Sequence, residues 1–376
     1  MLNLFSLFSI TEWNIIYFLL ALPQLVFWGI IAPIRLWKKE NNVEFSSFPV
    51  SVIIAAKNEE NNLPLLLDKL LQQEYSDFEI VIVNDRSTDC TENIIKQYQH
   101  HHKNIVAVNI KEIEDGISPK KNAITKGIEK AKHKHLLFID ADCIPVSNQW
   151  IQRLSSTLAH KELVLGVGMY KCDNHSWVQQ FTLFETILTA IGYVSFSNIG
   201  VNYMGVGRNM GYCKDLFIRN NGFEKHKSVM SGDDDLFINQ VANSHNTQAI
   251  TYPDSITMST PPKDWKSWFR QKNRHAGAGY HYNFSNKLIL GTLSTSHIAV
   301  YFIYLLLVPQ SMANLLFIPM LLIIRILLVT LCFCKFCSVT KTKYKWWQIT
   351  IMDLMLIAYQ IIIGVSSVIS KRNTWI

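Results

Sequence analysis

Two carboxylates one residue apart, Asp140 and Asp142, close an apolar run at residues 136–139 (LLFI). Such a run reads as a buried strand, and charge at its carboxyl end falls where open α/β sheets keep their ligands. One carboxylate of an Asp-x-Asp can hold a divalent cation while the other contacts a ribose or a metal-bound water. Hard oxygen donors of this kind suit Mg²⁺ or Mn²⁺ carried together with substrate phosphates. Taken alone, the pair would serve equally well as a turn or a helix cap. A second acidic group, Asp233-Asp234-Asp235, follows Gly232 and precedes an apolar-periodic helix. Acids stabilise a helix N-terminus, but three in succession exceed what capping requires, which leaves Asp233 and Asp234 as candidate bases.

The elements that must position these groups alternate along the chain. Residues 48–56 (FPVSVIIAA) have the β-branched composition of a central parallel strand and end at Lys57-Asn58-Glu59-Glu60. A leucine-spaced helix through about residue 73 follows, then a second buried strand, 79–83 (EIVIV), ending in Asn84-Asp85. A helix at about 90–100, a strand at 105–109, a helix at 120–132 and the strand at 136–139 complete the pattern. This alternation predicts right-handed crossovers and a mostly parallel, Rossmann-like α/β sheet. Glu59, Asp85 and the Asp140/Asp142 pair then face one crevice. Beyond them a helix at 150–159 leads to a strand at 163–169, and the glycines of 202–212 mark a close backbone approach or a packing site. Neither Gly-x-Gly-x-x-Gly after the first strand nor a Gly-Lys-Ser/Thr loop occurs, which argues against a dinucleotide fold and a P-loop enzyme.

The chain has 376 residues, 49% of them hydrophobic, with the apolar excess at its two ends. Residues 14–36 carry no charge before Arg35 and are long enough to cross a bilayer. Their basic neighbours follow rather than precede them, so the segment reads as a retained anchor and not a signal peptide. Three further helices are expected at about 289–309, 315–336 and 347–369, divided near 309–314. Lys335, Lys341, Lys343 and Lys345 between the last two predict a cytoplasmic loop, hence a multi-pass cell-membrane protein with its middle domain in the cytoplasm. Lys371 and Arg372 weigh mildly against that orientation. Residues 263–275 (KDWKSWFRQKNRH) interleave Trp265, Trp268 and Phe269 with basic residues, the pattern of an interfacial amphipathic helix. The net charge of +7 suits an anionic lipid surface; the lysines are scattered and give no argument for nucleic acid. Seven cysteines without paired spacing fit a reducing compartment.

One oddity lies inside the apolar C-terminal part. Arg325 falls midway along the third expected membrane helix, where a charge is costly unless it pairs. Asp353, near the start of the fourth, is a suitable partner; the other reading turns Arg325 toward an acceptor headgroup.

With these pieces placed, the chain resembles a membrane-bound glycosyltransferase of family 2, with the GT-A fold, over about residues 48–285 and the membrane layout. The family's opening x-Asn-Glu is matched by Lys57-Asn58-Glu59, and its Val-x-Asp-x-Ser-x-Asp by residues 83–89. Its Lys-x-x-Ala-Leu helix start corresponds to Lys120-Lys121-Asn122-Ala123-Ile124, and its Asp-x-Asp to Asp140-Ala141-Asp142. Its Glu-Asp motif has a counterpart in Gly232-Asp233-Asp234-Asp235-Leu236, and its Gln-x-x-Arg-Trp in Gln271-Lys272-Asn273-Arg274-His275. The resemblance implies donor contacts at Asn58, Glu59, Asp85 (the uracil-type base), Lys120 (the diphosphate) and Asp140, and a Mg or Mn cation at Asp142 with Asp140. It further implies Arg274 as an electrostatic stabiliser, acceptor contacts at Gln271 and His275, and Asp233 or Asp234 as the base.

The expected domains are an anchor at 14–36, a cytoplasmic catalytic domain at 48–260, an interfacial segment at 261–285 and three membrane helices at 289–369. The expected activity is inverting transfer of a sugar from a nucleotide-diphosphate donor, of the UDP type, to a lipid-linked or glycan acceptor at the membrane. His275 in place of the Trp of polymer synthases counts against a polysaccharide synthase subunit. An inactive nucleotide-binding scaffold is the rival from another class, and the retained acids speak against it.

Overall fold

The computed structural model describes residues 10–38, 47–172, 176–307 and 314–369 of the chain. Helix α1 (Ile10–Val26) runs through a π-helical stretch (Phe27–Ile31) into α2 (Ala32–Leu36). Strand β1 (Val50–Ala56), α3 (Leu63–Leu71), β2 (Phe78–Asp85), α4 (Thr91–His101), β3 (Ile105–Ile110), α5 (Pro119–Lys130) and β4 (His135–Phe138) then alternate. After them come β5 (Cys143–Pro145), α6 (Trp150–Leu158), β6 (Leu163–Leu165), β7 (Gly168–Tyr170), α7 (Trp177–Asn198), β8 (Met210–Cys213) and α8 (Lys214–Arg219). The chain continues through α9 (Asp235–Val241), β9 (Thr247–Ala249), β10 (Thr257–Ser259), α10 (Trp265–Gly279), α11 (Phe284–Leu307), α12 (Asn314–Thr340) and α13 (Gln348–Ile369).

Among the described residues a seven-stranded sheet has the order β3-β2-β1-β4-β8-β6-β9. Strands β1 to β4 pair in parallel, β8 lies antiparallel to both β4 and β6, and β6 and β9 are again parallel. Alternation along β1 sends Val52 and Ile54 to one face, with leucines of α3 and Trp150 of α6, while Ile53 faces α5. The chain order reverses between β1 and β4, so the crevice expected of such a sheet opens at their carboxyl ends. A second, three-stranded sheet, β5-β10-β7, stands beside it.

Three features depart from the sequence expectations. The single strand expected at 163–169 is two strands in different sheets. Asn209 Nδ2 donates to the Val167 carbonyl (2.8 Å) and to that of Ser255 (2.7 Å), so the backbone leaves the first sheet there. The helix α7 carries no sequence expectation, yet most of it is buried and it packs against α2, α12 and α13 as well as the sheet. Finally, the Trp-rich helix α10 is docked on one side. Trp268 is buried, 5.4 Å from the Tyr359 ring of α13 and 5.6 Å from Phe181 of α7, while Trp265 stays exposed.

Among the described residues, four helical stretches are long and apolar enough to cross a membrane: Thr11–Leu36, Phe284–Leu307, Leu316–Thr340 and Gln348–Ser366. The break expected near 309–314 and the tail with Lys371 and Arg372 lie, but for Asn314, outside the described residues. Arg325 and Asp353 meet inside the bundle: Arg325 Nη2 donates to Asp353 Oδ1 at 3.1 Å, and a second bond joins Nη1 to Oδ2. Tyr301 Oη of α11 donates to Asp353 at 2.6 Å, His297 Nε2 lies 3.4 Å from it, and Gln24 of α1 accepts from Arg325. One buried network thus joins all four helices, which accords with the pairing reading.

A fully buried lysine orders the approach to the acidic trio. Lys121 Nζ donates to the carbonyls of His226 (2.6 Å), Val229 (2.8 Å) and Ser231 (3.0 Å). Burial holds its ammonium down, to a pKa of about 8, against the pull of the neighbouring aspartates. His226 in the same loop is buried too. Burial first, and then the Lys121 charge, hold its imidazole at about 4.

Two outcomes are expected. Removing either Asp353 or Arg325 strands a buried charge and should cost about 3–5 kcal/mol in detergent unfolding. Exchanging the two should restore only part of that loss, because Gln24 Oε1, held by Trp28 and facing Arg325, would then meet a carboxylate. For His226, the unfolded chain takes up its proton near 6.5 while the folded form stays neutral to about 4. Stability is therefore retained above that window and lost as pH falls through it, by up to about 3 kcal/mol. Denaturant melts of wild type and His226→Gln across the window should show the variant with the shallower pH slope.

Candidate active site

The Asp-x-Asp lies at the joint between the two sheets. β4 ends, Cys143 N donates back to the Asp140 carbonyl at 3.0 Å, and β5 begins at Cys143 in the smaller sheet. This turn sets Asp140 and Asp142 at the crevice, where they face Lys120 from the first turn of α5. Lys120 Nζ lies 2.9 Å from Asp140 Oδ1 and 3.2 Å from Asp233 Oδ2. The two acidic groups that are about ninety residues apart in sequence therefore share one ammonium.

The three consecutive acids take three different places. Asp234 caps α9: its Oδ1 accepts from Asp235 N (2.8 Å) and its Oδ2 from Gly207 N (2.7 Å). A side chain at Gly207 would press on both Asp233 and Asp234, at 3.3–3.4 Å, so the glycine lets its amide reach the carboxylate. Asp235 turns away to accept from Leu236 N (2.8 Å) and from Tyr282 Oη (2.7 Å). Asp233 keeps its place beside Lys120. From α10, the Arg274 carbonyl accepts from Ser231 Oγ at 3.0 Å, which ties the basic helix to the acidic loop.

Together these groups surround a cavity of about 430 Å³ whose wall includes Lys120, Asp140, Asp142, Asp233, Asp234 and, from α10, Gln271, Arg274 and His275. Eight of the eleven sequence-derived site residues meet there. Asn58, Glu59 and Asp85 line the neighbouring carboxyl ends of β1 and β2 instead. Asn58, at φ 57°, stitches those ends together: its amide donates to Ser87 Oγ (3.0 Å) and its Oδ1 accepts from Thr88 N (2.8 Å). Glu59 accepts from Asn62 Nδ2 at 2.8 Å and lies near enough to the Asp-x-Asp to feel its charge. Asp85 is buried with its Oδ1 2.9 Å from Arg86 Nε.

The electrostatics follow from crowding acids around few cations. Burial acts to raise Asp140, but the Lys120 ammonium outweighs it and holds the carboxyl below its ordinary value. Lys120 itself is driven well above its usual value, because Asp140, Asp233 and Asp234 together overcome its desolvation. Enclosure by the cleft, and then the Asp140 charge, push Asp142 up. Burial and then the Asp233 charge push Asp234 up, and burial and then the Asp234 charge take Asp235 to about 8. His275 is held well below its ordinary value by enclosure and by Lys272 and Arg274, so its imidazole is neutral.

Arg208, Tyr170 and a Lys272–Glu185 pair escaped the sequence reading. Arg208 spans the pocket wall, with Nη2 donating to the Gly168 carbonyl (2.9 Å), Nη1 to Tyr170 Oη (3.0 Å) and the guanidinium 4.6 Å from the Tyr170 ring. Gln271 Nε2 donates to the same tyrosine hydroxyl at 3.1 Å. A buried ion pair joins Lys272 of α10 to Glu185 of α7. The only sequence signal for Arg208 is a basic residue inside the glycine-rich stretch; for Lys272 it is its place within Gln-x-x-Arg.

A divalent cation fits this donor set. The ligand atoms of Asp140, Asp142 and Cys143 lie within 4.8 Å of one another, and two close carboxylates repel until a cation is shared. The Cys143 thiol is not a matching donor: burial and then Asp142 drive it well above its ordinary value, and as S–H it contacts Asp142 Oδ1 at 3.3 Å.

Known proteins share both sequence and fold with this chain. Residues 51–217 match the family described as Glycosyl transferase family 2, and residues 135–362 match Glycosyl transferase family group 2. Glycosyltransferase AglE of Haloferax volcanii is 31% identical over 172 residues, 45% of this chain and 52% of that protein. The probable glycosyltransferase YdaM of Bacillus subtilis is 24% identical over 238 residues, 60% of this chain and 54% of that protein. The match thus spans about half the length of these curated relatives. Among solved structures, the mannosyltransferase PcManGT from Pyrobaculum calidifontis, in complex with GDP-Man and Mn²⁺, shares the fold at a TM-score of 0.58 and 18% identity. The match covers 95% of this chain and 100% of that one. A family match running from residue 135 to 362 of 376, on a GT-A-like sheet, shows that this chain belongs to glycosyltransferase family 2.

Proposed function

We propose that the chain transfers a sugar, with inversion, from a nucleotide-diphosphate donor of the UDP type to a hydroxyl of a membrane-associated, lipid-linked acceptor. The observation that carries this reading is the Lys120 ammonium set between Asp140 and Asp233. It brings a donor-side acid and an acceptor-side acid into one cleft, as direct displacement at an anomeric carbon requires. The preference for uridine rests on the family motif at Asp85, and the lipid acceptor on the four apolar helices beside the pocket.

In this reading Asp142 and Asp140 hold Mg²⁺ or Mn²⁺, which when bound neutralises charge on the leaving diphosphate. Lys120 and Arg274 contribute fixed positive charge at the same place, preorganised by the fold. Asn58, Glu59 and Asp85 supply the nucleoside side at the ends of β1 and β2. Gln271 and the neutral His275 face the acceptor from α10. Of the two candidate bases, Asp234 is preferred. Its carboxyl is raised toward working pH, and two backbone amides fix its orientation while each oxygen keeps a further lone pair. Asp233 is engaged by Lys120 at 3.2 Å, so its Oδ2 is already facing a cation rather than open to an acceptor hydroxyl.

The functional test is donor hydrolysis and transfer by purified full-length protein, with UDP- and GDP-sugars and Mn²⁺ or Mg²⁺. Asp142→Asn should remove metal-dependent nucleotide binding in calorimetry while leaving the melting curve in place; unchanged affinity with Mn²⁺ would exclude the metal assignment. Asp234→Asn can keep the bond from Asp235 N but not also that from Gly207 N; with folding checked by melting, it should lower turnover by roughly 10²–10⁴ with nucleotide affinity retained. Asp233→Asn should weaken donor affinity more than turnover. The reverse pattern would transfer the base to Asp233.

A further inference from the structure

Beside the catalytic pocket lies a second cavity of about 230 Å³, bounded by α7, α11 and α13. Its wall is mainly apolar, with Leu188 and Phe196 from α7, Leu290 and Leu293 from α11 and Leu356 from α13. Two of the bounding helices, α11 and α13, include candidate membrane spans, whereas α7 packs onto the sheet. The cavity therefore sits between membrane helices and catalytic domain. It shares Glu185, Thr189 and Tyr359 with the wall of the catalytic pocket, so the two spaces are neighbours across a common threshold.

The threshold carries a polar group with capacity to spare. Glu185 is 5% exposed; Lys272 takes its Oε1, and its buried Oε2 has no hydrogen-bond partner. An ionised carboxylate oxygen only accepts hydrogen bonds. It suits the hydrogen of a hydroxyl; the paired Lys272 offsets its charge, and an ionised phosphate brings no hydrogen for it to accept. The apolar space behind it exceeds the roughly 150 Å³ that suffices for a dry cavity to take up a small hydrocarbon.

We propose that this cavity receives the hydrocarbon chain of the acceptor, a neutral hydroxyl-bearing lipid whose polar end passes Glu185 into the catalytic pocket. The proposal rests on the reading of a membrane-associated acceptor and adds to it a place and a headgroup class. Continuity with the catalytic pocket and the membrane helices in the wall select a lipid chain as occupant. The acceptor-only oxygen at the threshold selects an alcohol over a polyprenyl phosphate.

The test uses full-length protein in phosphatidylcholine vesicles containing a diacylglycerol with a diazirine near the end of one acyl chain. After illumination, labelled residues are mapped by mass spectrometry, and donor hydrolysis is measured on the same vesicles. Leu188 and Thr189 of α7 should be labelled, and unlabelled dioleoylglycerol should suppress that labelling while polyprenyl phosphate does not. The outward-facing Leu305 and Leu316, 69% and 82% exposed, report general contact with lipid. Filling the cavity with Leu293→Trp or Leu356→Trp should lower labelling of Leu188 about tenfold relative to Leu305, with folding checked by melting. Absence of label on Leu188 and Thr189 while Leu305 reacts would overturn the chain site, as would labelling that dioleoylglycerol does not suppress. Suppression by polyprenyl phosphate would overturn the headgroup class. Loss of donor hydrolysis by the wild type would instead count against the transferase reading itself, independently of where the label falls.

Discussion

The Lys120 ammonium bridges the two acidic groups of the crevice. Asp140, Asp142, Asp233, Asp234 and Asp235 converge from two distant parts of the chain, and Lys120 touches both groups, with Arg208 and Arg274 in the same wall. Two unit charges of like sign 4 Å apart repel by roughly 4 kcal/mol at the effective dielectric of a protein surface. Without a shared cation the end of β4 and the start of α9 would be pushed apart. The first turn of α5 carries two adjacent lysines that divide the task. Lys120 joins the carboxylates, and Lys121, buried below it, binds three carbonyls of the loop that delivers Asp233.

Around that ammonium the architecture works as a set of joints. The turn after β4 joins the two sheets, and the cap of α9 is completed by the amide of Gly207 from the glycine-rich stretch before β8. The four candidate membrane helices are tied to the same assembly at several points. Arg35 of α2 reaches the sheet edge through Thr251, with Nη2 3.2 Å from its hydroxyl. Lys272 and Glu185 join α10 to α7, and Trp268 lies between Phe181 and Tyr359. The Arg325–Asp353 network then holds the four helices in one arrangement. A pocket built partly from α10 and Tyr359 of α13 keeps its shape only if those helices keep theirs.

Much of this was legible in the sequence because strong local signals coincide with the site. β-branched runs ending in Asn58-Glu59, Asp85 and Asp140/Asp142 mark strand ends, and a parallel sheet places such ends together. Arg325, in the third candidate span, found its partner because Asp353 is the acid that the apolar sequence nearby offers. What stayed hidden depends on long-range bonds. Helix α7 lacks a polar stripe: Glu185, Thr182 and Thr186 face inward, and both threonines return their hydroxyls to carbonyls one turn back. The division of residues 163–169 between two sheets is made by Asn209, forty residues away. Arg208 acquires its place through Tyr170 and Gly168, and no spacing rule connects them. Asp233 and Asp234 stood as alternative bases in the sequence; the partners of the three acids, an amide pair, a tyrosine and a lysine, are what distinguish them in the fold.

Calorimetry of UDP binding in Mn²⁺ to Lys120→Met, with Lys120→Arg as the variant that keeps the charge, tests most directly whether this ammonium organises a nucleotide-diphosphate site. A loss of affinity of at least about tenfold in Lys120→Met, with Lys120→Arg retaining most of the binding, is the expected result. Wild-type affinity in a folded Lys120→Met protein would contradict it.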